Sequence, residues 1–241
     1  MQSRRGFLQA AAAASAGALL APAMPALARD KKAKLAAQDL GGNLALITGG
    51  GANVVAFGSP DGAMLFDGGS REHAKALLKL ALSSVGAKKA HTLVNTHWHP
   101  EQTGLNETLG KQGARIFAHE NTRLWLTRRI DVPWRDAPHP AFPRVAQPNK
   151  SFYTTETIEF GGERIAFGHL GQAHTDGDLY AFLPGANVLI AGGVVSSAGW
   201  PLMDWRTGGW IGGLVGAYDR LLKIADDNTR VIGADGPIVG R

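Results

Sequence analysis

The segment Thr96-His97-Trp98-His99-Pro100-Glu101-Gln102-Thr103-Gly104 follows a short run, His91-Thr92-Leu93-Val94-Asn95, that reads as a buried strand. Two histidines spaced i, i+2 at a strand end, with a carboxylate close behind, form a ready chelate. Imidazole nitrogens so placed can hold one zinc ion from the same side of a turn. A bare His-x-His is more often a pair of surface histidines in a loop, so the reading needs a second feature. Gln172-Ala173-His174-Thr175-Asp176-Gly177-Asp178 supplies it, as a polar turn between two predicted strands.

Working outward, the chain alternates strands and helices. Asn43–Thr48, Asn53–Gly58 and Ala63–Asp67 are β-type runs separated by Gly-rich or Pro-Asp-Gly turns, an antiparallel meander. A helix is predicted from Ser70 to Val85, with Ser70 as N-cap and Ala74, Leu77, Leu78, Ala81 and Leu82 on one face. A short helix over Thr103–Lys111, a strand over Arg115–His119 and a helix over Glu120–Arg128 follow. Residues 130–150 carry Pro133, Pro138, Pro140, Pro143 and Pro148 with Trp134 and Phe142, a lid or a surface excursion. Gly161-Gly162 separates the runs Phe152–Phe160 and Glu163–His169, and Pro184-Gly185 separates Leu179–Leu183 and Val188–Ala191, both hairpin signals. Trp210–Ala225 reads as an amphipathic helix and Arg230–Gly233 as a closing strand. The order predicts one α/β domain, two sheets sandwiched between helices, with no internal repeat.

Composition narrows the chemistry. The 241 residues include no Cys, which excludes a disulfide scaffold, a Cys nucleophile, Fe–S clusters and thiolate zinc sites. Gly numbers 32, about twice the usual share of roughly 7%, which points to tight turns and close backbone approaches. Residues 1–28 read as an address rather than structure. Arg4-Arg5 sits between Ser3 and Gly6-Phe7-Leu8, an Ala-rich run spans Ala10 to Ala21, and Ala26-Leu27-Ala28 is a small-x-small cleavage site. This resembles the twin-arginine (Tat) export consensus, which implies the Tat translocase as a partner and a periplasmic or secreted product, residues 29–241. The apolar run is too short and too Ala-rich for a spanning helix of about 20 residues, so no membrane anchor is expected after cleavage. Cleavage removes two arginines and no acid, lowering a formal charge of +5. No basic stripe remains, so a small-molecule substrate is expected and nucleic acid is not.

The Asp67 turn, the His97-x-His99 turn, the His174-Thr175-x-Gly177-Asp178 turn and the strands between them resemble the metallo-β-lactamase fold superfamily over most of residues 40–240. The resemblance implies a four-layer αββα sandwich, two mixed sheets flanked by helices, with one or two metals in a groove at one sheet edge. It assigns His97, His99 and His174 to the first metal. The family's first motif is His-x-His-x-Asp-His, and here Glu101 stands for the Asp and Gln102 for the last His. Gly193, in Ala191-Gly192-Gly193, takes the place of a bridging Asp, or a Cys in some lactamases. Asp235, in Gly233-Ala234-Asp235-Gly236-Pro237, takes the place of the final His.

Three neutral imidazoles and one open position make a catalytic-type zinc site, able to lower the pKa of a bound water to about 7. One zinc is expected. Glu101, Gln102 and Asp235 would form a weaker second site suited to a harder divalent cation. With one metal, Glu101 or Asp235 is the candidate general base, which requires an approach within about 3 Å of the water. Gln102 is the candidate partner of that water or of a tetrahedral oxyanion. Asp67 is expected to orient the metal loop and Asp178 to stabilise its own turn. His73, His91, His119 and His169 read as structural, whereas His139, in the candidate lid, could be brought over the metal. Trp134, Trp200 and Trp205, with Trp210 and Phe142, are candidate walls of an apolar pocket, and Arg206 could meet a substrate carboxylate. Ordinary packing explains the tryptophans equally well.

The expected function is an exported zinc-dependent hydrolase, with metal-bound hydroxide attacking an ester, thioester, lactone or lactam carbonyl. Two alternatives stay open: a non-catalytic member that binds metal or ligand, and a β-lactamase. The altered second site and Gly193 count against the latter, and fold membership does not choose among reactions.

Overall fold

The computed structural model describes residues 34–241, so the export reading over residues 1–28 lies outside the described residues. The first sheet begins with β1 (Ala36–Gly41), β2 (Leu44–Thr48), β3 (Val54–Ser59) and β4 (Gly62–Phe66), each antiparallel to the next. It continues with β5 (Ala90–Asn95), β6 (Arg115–His119) and β7 (Lys150–Phe152), added in parallel. Parallel neighbours need crossovers. Helix α1 (Ala74–Ser84) joins β4 to β5, and α2 (Pro100–Thr103) with α3 (Asn106–Lys111) joins β5 to β6. Helix α4 (Glu120–Leu126) and the Pro-rich segment join β6 to β7. The second sheet comprises β8 (Thr155–Phe160), β9 (Glu163–His169), β10 (Leu179–Leu183), β11 (Val188–Ser196) and β12 (Arg230–Asp235), ordered β12-β11-β10-β9-β8. Its one parallel pair, β11 and β12, is connected through α5 (Ile211–Ile224).

Burial on both faces explains the strand sequences. In β4, Met64 and Phe66 enter the core between the sheets, where Val94, Phe117, Phe167 and Ile190 also pack. Ala63 and Leu65 face the other way, beside Leu93 and the buried stripe Ala74, Leu77 and Ala81 of α1. Leu214, Ala217 and Leu221 of α5 cover Leu189, Ala191 and Val231 on the outer face of the second sheet. The layers are therefore helix, sheet, sheet, helix, as the resemblance implied. Strands buried on both faces read as continuous apolar runs, which is why β4 and β5 were readable.

Three local expectations shift. Strand β1 shows no apolar alternation because it is an edge strand in which Leu40 alone is buried. The helix expected from Ser70 opens with a 3-10 turn at Arg71–His73, and the Ser70 side chain makes no cap. The helix expected over Thr103–Lys111 is two helices, broken where the Gly104 N–H donates to Gly69 O at 2.8 Å. A Cβ at Gly104 would collide with that carbonyl, so the chain docks closely there.

The ends of β6 and β9 meet through two stacked imidazoles, His119 and His169, with centroids 3.7 Å apart. His119 Nδ1 accepts the Asn121 N–H at 3.2 Å and its Nε2 donates to Tyr153 O at 2.8 Å, which fixes a neutral ring. Burial first, and the neighbouring His169 second, lower its pKa from 6.5 to about 4. A histidine whose folded pKa is depressed contributes stability that is complete above its unfolded value and lost as pH falls from there toward the folded one. Urea unfolding midpoints should thus drop more between pH 6.5 and pH 4.5 in the wild type than in His119→Gln. Equal drops would assign the acid sensitivity to other groups.

Candidate metal centre

The centre forms where the end of β5 meets the turn between β9 and β10, joined by Leu179 N–H donating to Thr96 O at 3.0 Å. The base of the β5 loop is fixed by Asn95 and Asn106, which exchange side-chain amide bonds of 2.8 and 3.0 Å. Asp67, just beyond β4, sits in the left-handed region at φ 64°, a conformation that Asp tolerates better than most residues. Its carboxylate accepts the Thr96 N–H and the Thr96 hydroxyl, each at 2.8 Å. Burial pushes Asp67 up to about 7 against the pull of those two bonds.

These contacts set the histidine tautomers. The Thr96 hydroxyl proton goes to Asp67, so its oxygen accepts from His97 Nδ1 at 3.0 Å and leaves Nε2 as the lone-pair nitrogen. His99 donates from Nε2 to Asp204 Oδ2 at 3.0 Å, which leaves Nδ1. His174 is held through its backbone: Asp178 Oδ2 accepts the N–H groups of His174 and Thr175, each at 2.7 Å. The three rings stand edge to face with centroids 4.5 to 4.8 Å apart. One nitrogen from each lies within 4.8 Å of the others, and all three residues are buried. Burial, followed by the neighbouring imidazoles and Arg135, lowers His97 well below the ordinary value. Burial lowers His99 to about 4, the Asp204 hydrogen bond opposing it. Convergent, neutral, oriented imidazoles suit a cation such as zinc, and the partners of their second nitrogens are those that hold such ligands in place.

The oxygen donors expected at a second site are not gathered in the same way. Among the described residues, His97, His99 and His174 are the one group of three or more ligand-type side chains within such reach. Glu101 faces Arg135, Oε1 to Nη1 at 3.2 Å and Oε2 to Nη2 at 2.9 Å. Burial raises the Glu101 pKa, and the bonds and charge of Arg135 override it, to about 2. That is too weak a base to take a proton near neutral pH. Asp235 is exposed and accepts the Ser196 hydroxyl at 2.7 Å. Gln102 is buried beside the loop, and its Oε1 has no hydrogen-bond partner. Gly193 lies in an irregular stretch of β11 against the His174 ring, into which a Cβ there would collide.

The candidate pocket residues divide. Trp134 and Trp205 meet edge-on at 6.4 Å, whereas Trp200 is 98% exposed. The Arg206 Nε donates to Asp131 O at 3.2 Å. His139 packs against Trp98 and Phe142 and lines a cavity of about 260 Å³ with Arg71, Pro100 and Glu107, whose lining does not include His97, His99 or His174. Sequence reasoning missed Thr96, Trp98, Arg135 and Asp204. Asp204 carried a signal, since Asp204-x-x-Thr207 is a capping pattern, and its Oδ1 does accept the Thr207 N–H at 3.1 Å.

The sequence matches the family described as the metallo-beta-lactamase superfamily over residues 47–233. Similar solved structures include a metallo-beta-lactamase from Pontibacter korlensis, with TM-score 0.69 and 19% identity over 86% of this chain and 94% of that one. The DIM-1 metallo-beta-lactamase aligns with TM-score 0.67 and 19% identity over 86% and 92%. The metallo-beta-lactamase IND-7 aligns with TM-score 0.68 and 18% identity over 86% and 93%. At these identities the likeness is one of fold. No curated protein matches the chain.

Restoring a carboxylate at position 193 should damage the centre rather than complete it. Gly193→Asp is expected to displace His174 and to weaken zinc binding by about tenfold or more, as read by chelator competition. A second tightly bound zinc in that variant would refute the steric argument.

Proposed function

Since the chain belongs to the metallo-beta-lactamase superfamily, we propose that it is a hydrolase whose single zinc ion is held by His97, His99 and His174. The observation that carries the reading is the buried trio of imidazoles, two with the non-ligating nitrogen already bonded, to Thr96 and Asp204. Zinc in such a setting polarises a carbonyl oxygen and activates water. Asp67, acting through Thr96, and Asp204 keep the ligand lone pairs aimed and the rings neutral. Gln102 brings a buried, unpartnered carbonyl oxygen, able to accept a proton donor of the attacking water or the substrate. Glu101 serves to hold Arg135 rather than to move protons.

The substrate class is an ester, thioester, lactone or lactam. Asp204 brings the segment bearing Trp200 and Trp205 to His99, so exposed aromatic surface adjoins the centre and favours a substrate with an apolar portion. Zinc content of the purified protein and turnover of a panel of these substrates test the proposal. About one zinc per chain is expected, with zinc and turnover lost in His97→Ala and His174→Ala while the circular-dichroism spectrum is kept. Absence of zinc after reconstitution would sink the metal reading. One zinc without turnover on any class would leave a ligand-binding member of the family.

Export is proposed on Arg4-Arg5 and Ala26-Leu27-Ala28. The double variant Arg4→Lys/Arg5→Lys should accumulate unprocessed in the cytoplasm of the producing cell, as read by fractionation and mass. Unaltered appearance in the periplasm would refute a twin-arginine leader.

A further inference from the structure

The end of the first sheet opposite the metal centre carries a groove of about 740 Å³. Ala90, Arg115 and Lys150 open the parallel strands β5, β6 and β7, whereas His97 and His99 follow the far end of β5. The 6 residues of β5 lie between the two places, a length of about 20 Å. The groove and the histidine trio share no residue.

The groove is cationic. Lys89, His91, Arg115 and Lys150 border it, and no acidic side chain does. Elsewhere on the surface arginines face acids, as Arg71 faces Glu107 and Arg129 faces Asp131. Lys89, Arg115 and Lys150 are exposed, and among the described residues they have no ion-pair partner. The backbone that carries them is held by other groups. Asn149 Oδ1 accepts the Ile116 N–H at 3.0 Å and its Nδ2 donates to Ala114 O at 3.3 Å. His91 is fixed by Thr92, Nδ1 to Oγ1 at 2.8 Å, and by the Phe160 ring 5.4 Å away. The three cations thus take no part in holding the fold together, and no acid offsets their mutual repulsion. A cleft lined by one sign of charge focuses its field and concentrates ions of the opposite sign.

We propose that this groove binds a small molecule carrying clustered phosphate groups. A phosphate monoester carries a charge of roughly −1.5 to −2 and three acceptor oxygens. The Arg115 guanidinium can meet two such oxygens at once, and the two lysines act as point charges beside it. A lone carboxylate would engage one cation and leave the others unmet. The basic residues border a bounded groove rather than a stripe along a face, which disfavours nucleic acid. A concave site likewise suits a free molecule better than a flat array of lipid headgroups. The proposal does not depend on the metal reading.

Pyrophosphate is the probe, titrated into the purified protein at fixed ionic strength and followed by the amide NMR spectrum. Saturable shifts are expected at Lys89, Gly113, Arg115 and Lys150, with orthophosphate binding more weakly because it spans fewer cations. Arg115→Gln/Lys150→Gln should bind pyrophosphate about tenfold or more weakly, with the circular-dichroism spectrum kept. Lys89→Gln should show a smaller loss, and it serves as the test if the double variant fails to fold. Lys75→Gln/Lys79→Gln removes the same charge from exposed positions of α1 and should leave the affinity unchanged. Equal losses in the two double variants would reduce the effect to net charge and overturn the proposal. Shifts confined to the turns of His97 and His174 would overturn it, as would unaltered affinity in Arg115→Gln/Lys150→Gln or no pyrophosphate binding at all. Vesicles of phosphatidylglycerol in phosphatidylcholine separate a headgroup from a free phosphate compound. Sedimentation with those vesicles, without pyrophosphate binding, would overturn the small-molecule reading in favour of a lipid surface.

Discussion

Each of the three clustered histidines rests on a buried aspartate, and the form of the candidate centre follows from that pairing. Asp67 acts on His97 through the Thr96 hydroxyl, Asp204 acts on His99 directly, and Asp178 holds the backbone of His174. The three carboxylates come from just after β4, the segment after β11 and just before β10, and the His99–Asp204 bond among them also ties the loop after β5 to the segment after β11. A buried carboxylate is costly unless it is fully hydrogen-bonded. Asp178 meets that condition with three short bonds from its own turn, and Asp67 with two from Thr96. Site and fold therefore share their supports.

Steric and electrostatic reasons support the proposed one-cation centre. A Cβ at Gly193 would meet the His174 ring, so a side chain there would have to displace that imidazole. Glu101 is neutralised by Arg135, and Asp235 lies exposed beside Ser196. Changes that look like losses in the motif are thus accommodated by the structure, with a glycine filled by a ring and a carboxylate bound to a guanidinium. Trp98 links the two halves of this arrangement, since it separates the ligand histidines in sequence and anchors the Arg135 segment in space.

Legibility followed burial. Strands β4, β5 and β10, both hairpins of the second sheet and helix α5 were readable because their apolar residues recur with the period of the element that buries them. Strand β1 was not, because an edge strand with one buried side chain carries no such period. The break at Gly104 was not, because a backbone bond to Gly69, distant along the chain, interrupts a locally helical pattern. In the site, the grouping of His97, His99 and His174 was legible from their turns and the resemblance, as were the hold of Asp67 on the loop after β5 and of Asp178 on its own turn. Asp204 and Arg135 stayed hidden among ordinary charged residues of two loops.

The sequence by itself determined the donor atoms: three imidazoles, no thiolate, and oxygen donors in place of the remaining ligands. It determined the αββα sandwich as well, because alternating elements with apolar faces have few ways to bury them. Only the tertiary structure decided what each polar side chain faces. Glu101 and Arg135 lie 34 residues apart and His99 and Asp204 lie 105 apart, distances over which no local periodicity operates. Ligand type is a property of residues, whereas charge pairing depends on where the folded backbone brings them. The first can be read along the chain, and the second exists once the sheets have closed.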